Sequence, residues 1–306
     1  MTWSPSAGIA ALQQRARMNQ IIRQFFDQHC ALEVETPVLS QAAVADANIE
    51  PMRTADERWL QTSPEYPMKR LLCAGSGDIY QIAKVFRRGE AGRRHNPEFS
   101  MLEWYRLGID LSELMQQVAT LTRQILAPRW PSLAELHLTY QQAFERYVGL
   151  NPHTCHDAEL VEAGRQVAGQ ELSLDRDGWL DVLMSHCVEP ALPTDTLVFV
   201  RDFPASQAAL AKTDMQAGIS IARRFELYLN GNELANGYDE LDDAAEQRRR
   251  FEREANGRPL DENLLEALEQ GLPPCCGVAM GLDRLLMLLL DADHIADVLA
   301  FDWQRA

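Results

Sequence analysis

Apolar positions recur at helical spacing over residues 9 to 28, where Ile9, Leu12, Ala16, Ile22 and Phe26 mark one face of an amphipathic helix. The next segment, LEVETPVLS, changes to a period of two. Leu32, Val34 and Thr36 alternate with Glu33 and Glu35 until Pro37 ends the run, which predicts a strand with one buried face. Short strand-like runs follow at 59–62, 79–85 and 99–105, with a turn entering a helix at 62–72 between the first two. A largely helical stretch spans about 111 to 190, broken at Pro128 to Pro131 and at Asn151-Pro152. Strands return at 196–201, 224–229 and 233–238. Two helices then run to about Gly257 and Gly271, each ending in a glycine suited to a C-terminal cap, and CCGVAMG leads into the apolar helix LDRLLMLLL.

Strands in two batches, mostly too close together for βαβ units, predict an α+β fold with an antiparallel sheet flanked by helices. The chain contains neither GxGxxG nor GxxxxGK[ST], so a nucleotide enzyme here is neither Rossmann nor P-loop. At 306 residues the chain buries roughly 75% of its unfolded surface. Its longest apolar run, Leu285 to Leu290, is far short of a membrane span, and residues 1–17 lack a basic start followed by an apolar core. The expectation is a cytoplasmic protein without membrane contact.

Charge and cysteine usage narrow the picture further. The net charge of −16 repels nucleic acid unless basic groups are segregated. Only Lys69, Lys84 and Lys212 are lysines, and arginines cluster at 87, 88, 93 and 94 and again at 248, 249, 250 and 253. The second cluster reads as a solvated helix face. The six cysteines form no CxxC pair; His153, Cys155 and His156 read as solvated loop residues rather than half a zinc site.

Three segments carry candidate chemistry. In FRRGEAGRRHNPEFSMLEWYR (86–106), arginines at the base of a hairpin beside Phe99 suit a phosphate and a purine, although a solvated charged hairpin has the same composition. Glu98 and Glu103 lie among Phe99, Leu102, Trp104 and Tyr105, and an acid in an apolar strand needs a partner such as a substrate cation. RFELYLNGNELANGYDEL (224–241) reads as a hairpin turning at Asn230-Gly231. That register sets Tyr228 opposite Glu233 and Glu226 opposite Ala235, with both carboxylates on one face and able to hold Mg²⁺; a solvent-facing strand pair is the alternative. Asn236 and Glu240 fall on the other parity unless a bulge near Gly237 redirects them. Gly277 and Gly281 bracket VAM before Asp283 and Arg284 open a helix, an arrangement suited to an anion.

Taken in this order, the segments resemble the three signature motifs of class II aminoacyl-tRNA synthetases, most closely those of lysyl-tRNA synthetase. The first helix with LEVETPVLS resembles motif 1, including the dimer-interface proline at Pro37; 86–105 resembles motif 2 and GVAMGLDRLLM resembles motif 3. The resemblance implies one catalytic domain over 1–306 with a helical insert at about 111–190 and no N-terminal anticodon-binding OB-fold. It implies that ATP meets Arg87, Arg88, Gly89, Glu90, His95, Asn96, Phe99, Glu233, Leu234, Gly281 and Arg284. Arg87 would hold the α-phosphate, Arg284 the γ-phosphate, and Phe99 would stack on adenine, while Glu226 and Glu233 would bind Mg²⁺. The amino acid would meet Ser63, Pro64, Glu65, Glu103, Tyr105, Asn236, Glu240 and Ala279, with Glu65 on its backbone amine and Glu103, Tyr105 and Glu240 on its side-chain ammonium.

Departures from the synthetase pattern matter as well. Gly89 stands where motif 2 usually has glutamate, with Glu90 adjacent as a substitute. Ser63 replaces the usual alanine, and Ala279 replaces the usual glycine in the amino-acid pocket. These features resemble the free-standing synthetase paralogues that attach (R)-β-lysine to a lysine of translation elongation factor P. The implied protein is a homodimeric ligase using ATP and Mg²⁺, without stable tRNA binding, whose acceptor protein is held partly by Arg88, Arg93 and Arg94.

Overall fold

The computed structural model describes residues 3–46, 49–169, 172–255 and 257–306. The chain divides into two compact units, Met1–Pro131 with Glu240–Ala306, and Ser132–Asp239. The first unit begins with α1 (Ile9–Gln28), β1 (Leu32–Glu33), β2 (Leu39–Ser40), β3 (Trp59–Leu60), α2 (Glu65–Cys73), β4 (Ile79–Phe86), β5 (Glu98–Leu107) and α3 (Leu111–Leu126). The second unit contains β6 (Ala134–Thr139), α4 (Tyr140–Tyr147), α5 (Asp157–Ala168), α6 (Arg176–Leu183), β7 (Thr196–Pro204), β8 (Thr213–Gln216), β9 (Ile219–Leu229) and β10 (Asn232–Asp239). The chain then returns to the first unit with α7 (Ala244–Glu254), α8 (Glu262–Gln270), β11 (Cys275–Gly281) and α9 (Leu282–Leu290).

In the first unit β4 and β5 are antiparallel over their whole length, from Ile79 opposite Tyr105 to Phe86 opposite Glu98. β11 lies antiparallel on the other side of β5, with Cys275 opposite Leu107 and Gly281 opposite Met101. In the second unit β9 is antiparallel to β10, β7 and β8. The expected antiparallel arrangement holds for these pairs, while β1–β4 and β6–β7 are parallel. Parallel neighbours need a long crossover, and the helices α4 to α6 supply one between β6 and β7. The stretch read as helical over 111–190 therefore includes a strand, β6.

Motif 1 departs from its expected pattern. Only Leu32 and Glu33 form a regular strand, extended by a bond from Val34 N–H to the Tyr80 carbonyl before Pro37. The face expected to be buried is only partly covered: Leu32 is 56% exposed, while Val34 and Thr36 are half-buried and Glu33 and Glu35 exposed; past Pro37, Val38 and Leu39 are exposed too.

α1 places Met18, Ile22, Phe25 and Phe26 in the core. Phe26 stacks on Tyr80 with centroids 4.3 Å apart and meets Trp104 edge-on at 5.4 Å, which fixes α1 against β4 and β5. The second unit has its own core, in which Gly164 of α5 lets Trp179 of α6 approach; a Cβ there would lie 2.2 Å from the indole.

One buried acid joins three elements of the first unit. Asp283, in the first turn of α9, accepts from the Ser100 amide on β5 at 2.7 Å and from the Arg15 guanidinium on α1. Arg15 also donates to the Val298 carbonyl at 2.9 Å. The helix N-terminus favours the carboxylate further. Asp283→Ala leaves the buried Ser100 amide without its acceptor and the partly buried Arg15 without its counter-ion, so it costs about 3 kcal/mol of stability. Urea unfolding checks this as a lower midpoint at unchanged slope.

Candidate active site

Strand parity sets Phe99, Met101, Glu103 and Tyr105 on one face of β5, spanning about 20 Å along the strand at ~3.4 Å per residue. Across β11, Gly281, Ala279 and Gly277 stand opposite Met101, Glu103 and Tyr105. The residue at 277 has to be glycine. A Cβ there would lie 2.4 Å from Glu240 Oε1 and 2.4 Å from the Tyr105 ring, so a methyl cannot fit between them. Ala279, directly opposite Glu103, packs with its methyl beside Phe99 and the Ala83, Val85 and Met101 cluster.

At the Glu103 end, three carboxylates gather around one lysine. α2 starts at Glu65 after the Pro64 cap, and the Glu65 amide donates to Ser63 Oγ at 3.0 Å. Ser63 Oγ in turn donates to Glu103 Oε2, and Tyr105 OH donates to Glu103 Oε1, both at 2.7 Å. One helical turn after Glu65, Lys69 Nζ lies 2.7 Å from Glu65 Oε1 and 2.6 Å from Glu240 Oε2. Lys69 and Glu240 are each 1% exposed and Glu103 is 2% exposed, so the charges face one another in a nearly dry space.

Burial pushes the Glu103 carboxyl up to about 7, helped by Glu65 and opposed by the bonds from Ser63 and Tyr105. Burial also pushes Glu240 up to about 8, against the pull of Lys69 and with repulsion from Glu65. Burial works against the Lys69 ammonium, but Glu240 and Glu65 outweigh it and raise its pKa. These groups titrate as a set. Without a cationic ligand, the set takes up protons near neutrality to offset its excess negative charge.

Farther along the same unit, the motif 2 hairpin carries the arginines. Arg87 sits over Phe99, its guanidinium carbon 5.1 Å from the ring centroid. Arg87 Nε is buried and finds no hydrogen-bond acceptor in the protein, an orphan donor that suits an anionic ligand. Gly89 has φ +79°, a conformation that a glutamate side chain rarely adopts, and Glu90 instead approaches Arg87 at 3.8 Å. Arg284 of α9 donates to His95 Nε2 at 2.5 Å, bringing the motif 2 and motif 3 residues together. Gly281 is the cap residue of α9. The Asn96 side-chain amide donates to the Glu98 carbonyl at 2.6 Å and accepts from Trp303 N–H at 2.9 Å. Arg88 pairs with Glu50 at 3.2 Å and Arg93 with Asp293 at 2.7 Å.

The remaining candidates, Glu226, Glu233, Leu234 and Asn236, lie in the second unit. The hairpin turns where expected, with Asn230 and Gly231 both at positive φ. Tyr228 is opposite Glu233 as read from the sequence, but Glu226 is opposite Asn236, not Ala235. The reason is a register shift between Glu233 and Ala235, which leaves Leu234 as the extra residue. That bulge lies three residues before the position considered in the sequence, and it brings Asn236 to the Glu226 face. Buried Glu226 accepts from both Arg224 and Tyr228 OH, and Arg224 also donates to Asn236 Oδ1 at 3.1 Å. Burial raises the Glu226 pKa, with Glu233 adding to it and Arg224 opposing. Mutual repulsion of Glu226 and Glu233 is what a divalent cation relieves. Among the described residues no group of three or more His, Cys, Asp or Glu could enclose a metal. Two carboxylates fit Mg²⁺ only in a shell completed by substrate oxygens and water, its common mode.

Lys69, Arg224 and Tyr228 escaped the sequence reading. Lys69 follows Glu65 by four residues on one helix, and Arg224 and Tyr228 share strand parity with Glu226; these spacings were the available signals.

The match to known proteins agrees with this geometry. The family model for tRNA synthetases class II (D, K and N) matches residues 6–305, and the chain belongs to that family. The fold is thus a class II synthetase core of α+β type. Among curated relatives, the elongation factor P–(R)-β-lysine ligase of Sodalis glossinidius is 48% identical over all of this chain and 98% of its own. The proteins of the same name from Pectobacterium carotovorum and Haemophilus influenzae are each 46% identical, covering 100% and 98% of this chain and 98% and 97% of their own.

The titrating set gives a signed pH effect. Protons on Glu103 and Glu240 compete with an ammonium ligand, so affinity for a diamino acid falls as pH drops from 8 to 6, by about tenfold per unit for each proton displaced. Isothermal calorimetry with lysine in buffers of different ionisation heat should show proton release on binding at pH 7.

Proposed function

We propose that this chain is an ATP-dependent ligase that activates (R)-β-lysine as its adenylate and transfers it to a lysine side chain of elongation factor P. One observation carries the reading: the Glu65, Glu103 and Glu240 carboxylates gather in a buried cluster, with Ser63 bonded to Glu103 and Ala279 opposite it, in a chain whose full-length relatives bear that ligase name. A pocket with three acids suits a small molecule bearing two amines. Glu65 takes the amine nearer the carboxylate, and Glu103, Tyr105 and Glu240 take the distal ammonium. Asn236 is assigned to the substrate carboxylate.

The chemistry needs no general base. An ionised carboxylate oxygen of the amino acid bonds to the α-phosphorus of ATP as the bond to pyrophosphate breaks. An acceptor amine then bonds to the acyl carbon, AMP departs, and the amine gives up its proton. Arg87 offers its unpartnered Nε to the α-phosphate, with Glu90 close enough to orient the guanidinium. Arg284, set by His95, is assigned to the γ-phosphate, and Phe99 to the adenine face. Glu226 and Glu233 would hold Mg²⁺, which supplies positive charge to phosphate oxygens. Positioning and charge thus provide the rate.

The exposed Leu32, Val38 and Leu39 beside Pro37 support a homodimer formed through motif 1. The ion pairs of Arg88 with Glu50 and of Arg93 with Asp293 are exposed, and an acceptor protein can replace them at little energetic cost. Among the described residues no helix is long and apolar enough to cross a membrane, in keeping with a cytoplasmic site of action.

ATP–pyrophosphate exchange with α-lysine and (R)-β-lysine side by side, followed by addition of elongation factor P, tests the whole reading. We expect stronger exchange with the β-isomer and a mass gain on the factor. Exchange with α-lysine alone, transfer to bulk tRNA and an unmodified factor would place the acceptor elsewhere. The Ala279 methyl adjoins the acid that grips the substrate, so Ala279→Gly should shift the α/β activation ratio toward α-lysine by about tenfold, the usual scale for a methyl-sized change. An unchanged ratio would remove Ala279 from the selectivity argument.

A further inference from the structure

Lys69 has no role in the substrate assignments above, yet it is the most deeply set cation of the pocket. Its Nζ is within 2.7 Å of two carboxylates that belong to different elements, Glu65 on its own helix α2 and Glu240 just after β10. The titratable groups facing it also include Glu103 from β5, to which Tyr105 donates, and Cys73 from the end of α2. A fully buried ammonium costs several kcal/mol to desolvate, so its retention is a stability loss unless its charge is needed. Hydrophobic packing would fill the same space at lower cost.

Charge accounting indicates the need. Glu65, Glu103 and Glu240 bring three negative charges, and Lys69 returns one. The remaining two match the two ammonium groups of a diamino acid whose carboxylate is held elsewhere. We propose that Lys69 is a positioning residue: a fixed internal cation that holds Glu65 and Glu240 aimed and offsets one of the three acids, so that the site presents two net negative charges to a substrate with two ammonium groups. The inference rests on the diamino-acid reading given above. Lys69 touches neither the reacting atoms nor the substrate in this scheme. It acts through the acids it holds.

Removing the charge lets protons take its place, which raises the pH at which those acids become available. The test is the pH profile of the amino-acid KM in ATP–pyrophosphate exchange between pH 6 and 9, for the wild type, Lys69→Met and Lys69→Arg, with α-lysine and (R)-β-lysine. Lys69→Met should raise KM about tenfold at pH 7 and move the midpoint of its pH dependence up by about one unit, with kcat changing by less than about threefold. Lys69→Arg, which keeps the charge, should return the midpoint toward the wild-type value. If Lys69→Met does not fold, as judged by its thermal melt, Lys69→Gln takes its place, because it keeps a donor for Glu240 without the charge. A neutral variant that weakens binding equally at every pH would reduce Lys69 to packing and overturn the proposal, while the substrate reading stands. Failure of the wild type to exchange with either diamino acid would overturn that reading, and the proposal with it.

Discussion

The antiparallel pairing of β5 with β11 is the constraint on which the first unit depends. It sets Tyr105 opposite Gly277, Glu103 opposite Ala279 and Met101 opposite Gly281, so the acid assigned to an amine and the small residues facing it come from one register. A slip of one residue would turn every one of these side chains to the other face. Other contacts secure that register. Asp283 follows β11 by two residues and receives the Ser100 amide from β5, so the same two strands are tied again beyond their last paired residues. Arg15 brings α1 into the same bond.

A second theme runs through both units. Four carboxylates assigned to ligands are already held by neighbours: Glu103 by Ser63 and Tyr105, Glu65 and Glu240 by Lys69, and Glu226 by Arg224 and Tyr228. Such acids cannot swing away when a ligand departs. Their orientation is fixed before binding, which spares the reorganisation that flexible surface acids undergo. For Glu103 and Glu240 the same burial that fixes them moves their protonation toward neutrality, so rigidity and pH sensitivity have one cause.

Much of this was legible in the sequence because it depends on local pattern. The bounds of α1, the β5 strand and the Asn230-Gly231 turn all follow from period and turn chemistry. Three features were not legible, each for a physical reason. The alternation in LEVET suggested a buried face, but burial depends on what packs above the strand, and β1 is a two-residue edge. The parallel pairings of β1 and β6 depend on which strands meet after long connections. Glu65 and Lys69 have the spacing of an ordinary surface pair on a helix, and only the depth of α2 turns that pair into a buried charge site.

The extra residue at Leu234 has a consequence for how this hairpin tolerates change. Between the turn and Asn236, the count of residues on β10 is one more than on β9, and that surplus alone allows Glu233 and Asn236, three apart, to share a face. Point substitutions leave the count intact. Deletion or insertion of a single residue there would send one of the two side chains through the sheet to the opposite side. The hairpin can therefore vary in composition over evolutionary time while its length stays fixed, and a gap at this position in a relative would mark a chain that has given up this constellation.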